Sequence, residues 1–363
     1  MKFHQLKIKS LQKITKDTIE VTFNIPEEIT DDFGFHPGQY LTIAPTVNGE
    51  KTRRAYSICS DSIQDDVSIL IKKIDKGLVS NYMNDLAEVN QRLLVAAPNG
   101  HFKLDPHNIP ENAEYVFIGA GSGITPLISM IQSVLKLSTT ARCHLYYGSR
   151  AEDDIIYHHK LNRLKLVYKE RLQVHHFLSR AKSKMPEVGK HNVHFHMGRV
   201  DVDFVQQQVS NISTSSLEGI YLCGPSELIE ASIARFEKGD VPADKIHREY
   251  FTAPDTEGDD LEFAVEDLPI RKVKVELDNK EIEIVINDEK DILRQLIADG
   301  YEPPYSCLQG TCSTCKAKLI YGDVKMKVDI GLEADEIENG YILTCQSIPI
   351  SETVHCIYKN QES

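Results

Sequence analysis

Residues 114–135 read EYVFIGAGSGITPLISMIQSVL, and this stretch sets the architecture around it. Tyr115 to Ile118 form a short apolar run, and Gly119, Gly121 and Gly123 follow as a turn. Beyond the turn, Leu127, Met130, Ile131, Val134 and Leu135 fall at i, i+3, i+4, i+7 and i+8, the apolar stripe of a helix. Pro126 suits the first helical position. The same strand character returns in CHLYYG (143–148), QVHHFLS (173–179), GIYLCG (219–224) and IHREYF (246–251), with helical stretches between them. Strands alternating with helices predict a parallel sheet covered on both faces, over residues 109–251.

On the N-terminal side the period changes to two. Ile19, Val21, Phe23 and Ile25 share one face, and QYLTIAP, AYSICS, VSILIKKI and RLLVAAP follow as further short strands. This pattern predicts a small antiparallel β-barrel over residues 1–108. On the C-terminal side, 252–269 (TAPDTEGDDLEFAVEDLP) holds seven acidic residues and no basic one, the composition of a linker. From 270 to 363 comes an α+β module: a hairpin turning at Asp278-Asn279, a helix ending at Gly300, then a cysteine-bearing loop.

That loop, CLQGTCSTC, places Cys307, Cys312 and Cys315 in a C-x4-C-x2-C pattern, and Cys345 lies 30 residues further on. This is the spacing of plant-type [2Fe–2S] ligation. Two irons take two thiolates each, so one compact loop must wrap the cluster while a remote strand closes it. Structural zinc prefers paired C-x2-C knuckles, and only one is present. Gly310 is expected to let the loop backbone approach the cluster without a Cβ in the way. Cys59, Cys143, Cys223 and Cys356 have no such spacing and read as reduced thiols of a cytoplasmic protein.

Charge narrows the function further. Residues 1–251 hold 30 Lys+Arg against 30 Asp+Glu, whereas residues 252–363 hold 11 against 24. The excess of −13 therefore belongs to the last third, which argues against nucleic acid as a partner. No run approaches the ~18–20 apolar residues of a membrane span, and the start, MKFHQLKIKS, has no apolar core of a signal peptide.

In an open α/β sheet, ligands bind at the carboxyl ends of the strands. GAGSGITP is one such end: glycines let the backbone come close to a pyrophosphate, and a helix N-terminus supplies free N–H groups. G-x-G-x-G is not the G-x-G-x-x-G fingerprint, so by itself it also fits a tight βα turn. At YYGSR, Ser149 and Arg150 follow a strand, with Tyr157 expected on the next helix. A hydroxyl, a guanidinium and a ring suit an adenosine 2′-phosphate, so NADPH is favoured over NADH. His175, His176, His191, His194 and His196 lack a carboxylate or Cys to complete a metal site and read as structural.

Residues 270–360 resemble a plant-type ferredoxin, a β-grasp fold. RRAYSICS (53–60) resembles the R-x-Y-[ST] signature of the ferredoxin–NADP reductase family, and FHPGQYLTI, IKKIDKGLVSNYMNDL, GAGSGITP and YLCGP extend that likeness over residues 1–251. The resemblance implies FAD held by Arg54, Ala55, Tyr56 and Ser57, by Ile71 and Lys72, and by Gly77, Leu78, Val79 and Ser80. Arg54 would neutralise the pyrophosphate, Tyr56 would pack on the isoalloxazine, and Ser57 would reach its N5. Gly77 to Ser80 would hold phosphate at a helix start, with Ser80 near the N-cap. Gly121, Gly123, Thr125, Cys223 and Gly224 would lie along the nicotinamide nucleotide, and Phe251 would shield the flavin. Ser57, Cys223 and Glu249 would be the catalytic set. The domain order resembles reductase components of multicomponent oxygenases, which implies electron flow from NADPH through FAD and the [2Fe–2S] cluster to a partner oxygenase. The alternatives are a reductase component for a steroid or other ring hydroxylase, and a flavin and iron–sulfur redox sensor, which would be expected to carry an effector module.

Overall fold

The computed structural model describes residues 1–63, 66–181, 193–239, 241–253 and 270–358. The expected acidic linker falls outside the described residues from 254 onward, as does His191. Residues Phe3–Phe251 form one compact unit, and the residues that follow belong to a second.

The first unit opens on an antiparallel sheet of β1 (Phe3–Thr15), β2 (Thr18–Asn24), β3 (Tyr40–Ala44), β4 (Arg54–Ser57), β5 (Val67–Lys72) and β6 (Arg92–Ala96). Their order is β4-β3-β6-β1-β2-β5. The edges meet: Ile58 bridges to Ile69 and Cys59 N–H donates to Ser68 C=O at 2.8 Å, closing the sheet into the expected barrel. The longest strand, β1, is not one of the five that the sequence pattern predicts. It alternates Leu6 and Ile8 inward with Lys7 and Lys9 outward, and the lysines mask the apolar signal. Helix α1 (Leu78–Asp85) turns Val79 and Met83 into the same core.

The second half of this unit is a parallel sheet of six strands. They are β7 (Glu114–Ala120), β8 (Arg142–Ser149), β9 (Leu172–Leu178), β10 (Val193–Met197), β11 (Leu217–Gly224) and β12 (Ile246–Tyr250). The order β10-β9-β8-β7-β11-β12 reverses direction at β7, so the glycine turn after β7 sits at the switch point where ligands bind. Helix α2 (Ile124–Leu137) begins after a short 3-10 turn at Gly121–Gly123, which makes Pro126 its third residue, still inside the first turn where its missing N–H costs nothing. Every residue of α2 from Ile124 to Leu135 is buried. Its apolar stripe packs into the shared core, and its polar residues meet the barrel: Ser129 Oγ donates to Ser60 C=O at 2.6 Å and Gln132 Nε2 to Cys59 C=O at 3.1 Å. Lys136 pairs with the buried Asp61 at 2.6 Å. These bonds join barrel and parallel sheet through one core, in which Cys59, Leu70 and Phe102 lie with Leu127 and Ile131.

The second unit contains β13 (Arg271–Leu277), β14 (Lys280–Ile286), α3 (Ile292–Ala298), β15 (Lys316–Tyr321), β16 (Tyr341–Leu343) and β17 (Thr353–Ile357). The strand order is β14-β13-β17-β15-β16, with β13 and β17 parallel and the other pairs antiparallel, the mixed sheet of a β-grasp. Asp278 and Asn279 both take positive φ in the hairpin turn, which suits these two residue types. Arg271 is fully buried, and its guanidinium donates to Pro349 C=O at 3.0 Å and to Asp288 C=O, tying the first strand to two loops.

Candidate functional site

At the switch point the three glycines have separate reasons to be glycine. A Cβ on Gly123 would lie 2.0 Å from the carbonyl oxygen of Cys223, and one on Gly119 would lie 2.9 Å from the same atom. Both are therefore required by the close approach of β7 and its turn to β11. Gly121 takes φ +57° with nothing within 4 Å of its Cβ position, so it is the open glycine of the three. Gly224 carries the chain past Ala120, where a Cβ would lie 3.0 Å from the backbone nitrogen. Thr125 is buried and donates from Oγ1 to Ser122 C=O at 2.7 Å, bracing the turn.

Beside this turn the barrel contributes β4. Ser57 Oγ donates to Glu249 Oε2 at 3.3 Å, and Cys223 Sγ lies 4.0 Å from the same oxygen. Cys223 and Glu249 are direct partners on the adjacent strands β11 and β12, so the sheet register sets their approach. Burial pushes the Glu249 carboxyl up to about 8, against the opposing pull of the Ser57 hydroxyl. Burial and the neighbouring Glu249 also push the Cys223 thiol well up, so it stays protonated. A hydroxyl, a neutral thiol and a carboxyl that titrates near neutrality are thus gathered from three strands, an arrangement able to hold and move a proton. Phe251, immediately after β12, packs against the core that holds Cys223.

The residues expected to hold the flavin lie around this point. Tyr56 is half-buried, and desolvation raises its phenol well above the usual range. Arg54 donates from Nη1 to Arg53 C=O at 2.7 Å, and the buried Arg53 sits over the Phe3 ring at 5.1 Å. Ile71 is fully buried in the barrel, and Lys72 Nζ lies 3.8 Å from Asp17. Gly77 is the N-cap of α1, and no side chain caps this helix. Ser80 is the third helical residue and turns back to accept from Ile74 N–H at 3.4 Å. A Cβ at Gly77 would strike Ser80 Oγ at 2.3 Å and Ile74 Cγ1 at 2.4 Å. An uncapped helix start fits a phosphate, because its first N–H groups have no partner within the helix.

The end of β8 carries the residues expected around the adenosine. Ser149 Oγ is buried beside the Tyr147 hydroxyl, and Arg150 is exposed. Tyr157, expected to join them around the adenosine, does not. It precedes the helix His158–Tyr168, takes φ +64°, is almost wholly buried, and donates from its hydroxyl to Glu20 Oε2 of β2 at 2.6 Å. Lys160 stands 4.4 Å from its ring centroid and 3.5 Å from Glu20. Tyr157 therefore pins the parallel sheet to the barrel and is closed to a ligand. Its distance along the chain from Arg150 could not reveal that the intervening turn buries it.

The histidines resolve as packing groups. His175 Nδ1 and His196 Nε2 are 3.0 Å apart in a stack of rings with His194 and Phe177. Burial pushes His175 and His176 down to about 3, so both are neutral. Among the described residues, no group of three or more His, Cys, Asp or Glu side chains is arranged to hold a single metal ion.

In the second unit the four cysteines stand in two pairs. Cys307 meets Cys312, and Cys315 meets Cys345; in each pair the hydrogen bond between sulfurs pushes one thiol down and the other up. Two pairs of thiols fit a two-iron cluster better than a single tetrahedral ion. Leu308, Gly310 and Ser313 all take positive φ, so the loop curls tightly. Gln309 N–H then points at Cys307 Sγ at 3.3 Å and Cys307 N–H at Cys312 Sγ at 3.4 Å. A Cβ on Gly310 would strike Gln346 Cγ at 2.8 Å and Val328 at 3.0 Å, and the Gly310 backbone hydrogen-bonds the Cys345 thiol. Sequence reading missed Gln346, which donates to Leu308 C=O at 3.3 Å and lies 3.6 Å from Cys345 Sγ. It also missed Thr344, which donates to Cys315 C=O at 2.9 Å. Their adjacency to Cys345 was the available signal.

Comparison with known proteins agrees with this layout. Residues 5–104 match the oxidoreductase FAD-binding domain, 117–233 the oxidoreductase NAD-binding domain, and 275–349 the 2Fe-2S iron-sulfur cluster binding domain. The chain is 31% identical over 354 residues to a component of the 1,2-phenylacetyl-CoA epoxidase of Escherichia coli K12, covering 97% of this chain and 96% of that protein. It is 28% identical over 356 residues to the ferredoxin reductase component of 3-ketosteroid-9-alpha-monooxygenase from Rhodococcus rhodochrous, covering 96% and 94%. Among solved structures, phthalate dioxygenase reductase shares the fold with a TM-score of 0.61 at 24% identity, covering 98% of each chain.

Proposed function

Because the chain belongs to the ferredoxin–NADP reductase family of flavoproteins carrying a C-terminal plant-type [2Fe–2S] domain, we propose that it draws electrons from NADPH and delivers them to a separate oxygenase component. Bound FAD supplies the exchange between two-electron and one-electron chemistry, and the cluster supplies the one-electron outlet. The observation that carries this reading is the meeting of Ser57, Cys223 and Glu249 at the switch point, together with four paired thiols in the second unit.

In this reading the FAD domain is 1–108, the nucleotide domain 109–251, the linker 252–269 and the ferredoxin domain 270–363. Arg54–Ser57 and the start of α1 hold the flavin. Gly121, Thr125 and Cys223 border the nicotinamide, and Ser57 and Glu249 hold a proton beside the reacting rings. Cys307, Cys312, Cys315 and Cys345 ligate the cluster. None of the eight cysteines is in a disulfide, in keeping with a cytoplasmic setting.

A phenylacetyl-CoA epoxidase complex is the acceptor we favour, on the end-to-end likeness to the Escherichia coli protein. A steroid ring hydroxylase is the second reading, on the likeness to the Rhodococcus component. The test is Cys312→Ser in the full chain, assayed with ferricyanide and with the purified oxygenase components of both systems. Reduction of ferricyanide by NADPH should persist, and oxygenase turnover should be lost. Equal loss of both activities would contradict a cluster downstream of the flavin, and a wild type that drives only the steroid oxygenase would overturn the choice of acceptor.

A further inference from the structure

Tyr157 is held in a strained conformation. Its φ of +64° lies in the left-handed region, which penalises any residue with a Cβ and persists only where the surroundings over-determine it. The ring lies in the core shared by barrel and parallel sheet, and the hydroxyl donates to Glu20 Oε2 at 2.6 Å. With that proton committed, the phenol oxygen accepts from the Cys59 thiol, a second barrel group. Both partners belong to the strands expected to hold the flavin. Glu20 pairs with Leu70 in the register of β2 against β5, next to the pairs that contain Ile71 and Lys72. Cys59 follows closely on Ser57, and its N–H donates to Ser68 C=O of β5 at 2.8 Å.

On its other side Tyr157 is tied to the glycine turn. The N–H of the preceding residue, Ile156, donates to the hydroxyl of Tyr147 on β8, and that hydroxyl donates to Gly121 C=O at 2.8 Å. Tyr147 is fully buried, so water does not compete for either bond. Two tyrosines thus run without a break from the turn expected to border the nicotinamide to the strands expected to hold the flavin. The ion pair at the same junction, Lys16 with Asp154 at 3.6 Å, has its lysine in solvent and contributes little beside them.

We propose that Tyr147 and Tyr157 are positioning residues for hydride transfer, a tie that fixes the glycine turn at one distance from the flavin strands. This role rests on the NADPH and FAD reading above. In the step concerned, a hydride and its electron pair leave NADPH for the flavin, giving NADP+ and a reduced flavin that takes up one proton. The reacting atoms must come within about 3–3.5 Å, and a misplacement of about 1 Å can slow such a step about 10²-fold. A loosened tie therefore slows transfer without removing any contact to the nucleotide.

The test is stopped-flow reduction of the FAD-loaded full-length protein by NADPH, read at the flavin band and at the long-wavelength charge-transfer band of nicotinamide stacked on flavin. Tyr157→Phe and Tyr147→Phe should each lower the limiting rate of flavin reduction about tenfold and weaken the charge-transfer absorbance. The NADPH concentration that gives half the limiting rate should stay at its wild-type value. The double variant should be no slower than the slower single one, because both cut the same tie. Glu20→Gln keeps an acceptor for the Tyr157 hydroxyl and should retain the wild-type rate, whereas Glu20→Ala should slow transfer as Tyr157→Phe does. Glu20 is only half-buried, so this pair reads the tie even where a buried variant fails to fold. Lys16→Ala should change neither rate nor absorbance. Lower melting midpoints with unchanged rate and charge-transfer absorbance would make the tyrosines structural and overturn the tie, with the NADPH reading intact. Losses that multiply in the double variant, or equal rates in Glu20→Gln and Glu20→Ala, also overturn it. A wild type whose flavin is not reduced by NADPH overturns the NADPH reading and the tie with it.

Discussion

At Glu249 the carboxyl keeps its proton because burial outweighs the hydrogen bond from Ser57, and it titrates near 8 instead of in the usual carboxylate range. Below that pH the group is neutral and can donate a proton; above it the site gains a negative charge beside Cys223. Flavin reduction by NADPH should therefore slow as pH rises through about 8, and Glu249→Gln should remove that limb while lowering the rate at neutral pH by roughly 10²-fold, the scale of a lost general acid. Stopped-flow absorbance of the flavin across pH 6–10 reads both effects. Linkage runs the same way: between the unfolded value of 4.5 and the folded value of about 8 the native state binds the extra proton, so this group's contribution to stability falls as pH rises across that window. A limb that survives unchanged in Glu249→Gln would assign the titration to another group.

The β7–turn–α2 element shows how one motif serves two needs. Gly123 is glycine because the Cys223 carbonyl oxygen occupies the place of a Cβ, whereas Gly121 is glycine because of its positive φ in open space. Gly123→Ala must push β7 and β11 apart, so it should cost on the order of 3 kcal/mol or more and weaken nucleotide binding. Gly121→Ala should cost only about 1–2 kcal/mol, the penalty of a left-handed residue. Urea unfolding followed by flavin fluorescence would rank the two, and an equal cost would contradict the separate reasons assigned to them. The same element explains why α2 carries an apolar stripe yet leaves no face to solvent. Its polar residues satisfy barrel carbonyls, which a helical period cannot distinguish from a water-facing side.

Across the whole chain, charge is divided by segment: 30 basic and 30 acidic residues lie in 1–251, against 11 and 24 in 252–363. An acidic electron-delivering module should steer towards a basic patch on its acceptor. Transfer to the oxygenase should fall as salt shortens the Debye length from ~10 Å at 0.1 M to ~3 Å at 1 M. Flavin reduction at saturating NADPH should fall less, because the nicotinamide is then already bound. Parallel assays across that salt range decide it; if the two rates decline together, the charge asymmetry has no part in docking.

Local pattern alone determined the three modules, the glycine turn at the switch point, and the four cysteines, because strand and helix periods, turn residues and ligand spacing are all written within short windows of chain. Ser57, Cys223 and Glu249 came instead from the resemblance to the ferredoxin–NADP reductase family, carried by motifs that lie far apart in sequence. Tertiary structure alone decided what each of these residues touches. Tyr157 proved to be an interface pin because a positive-φ turn swings it 137 positions back along the chain to Glu20. Gly310 is hemmed in by Gln346 and Val328, and Cys223 comes beside Glu249 only through the register of two parallel strands. Such contacts depend on how distant segments are brought together, and no period or spacing within one segment encodes them.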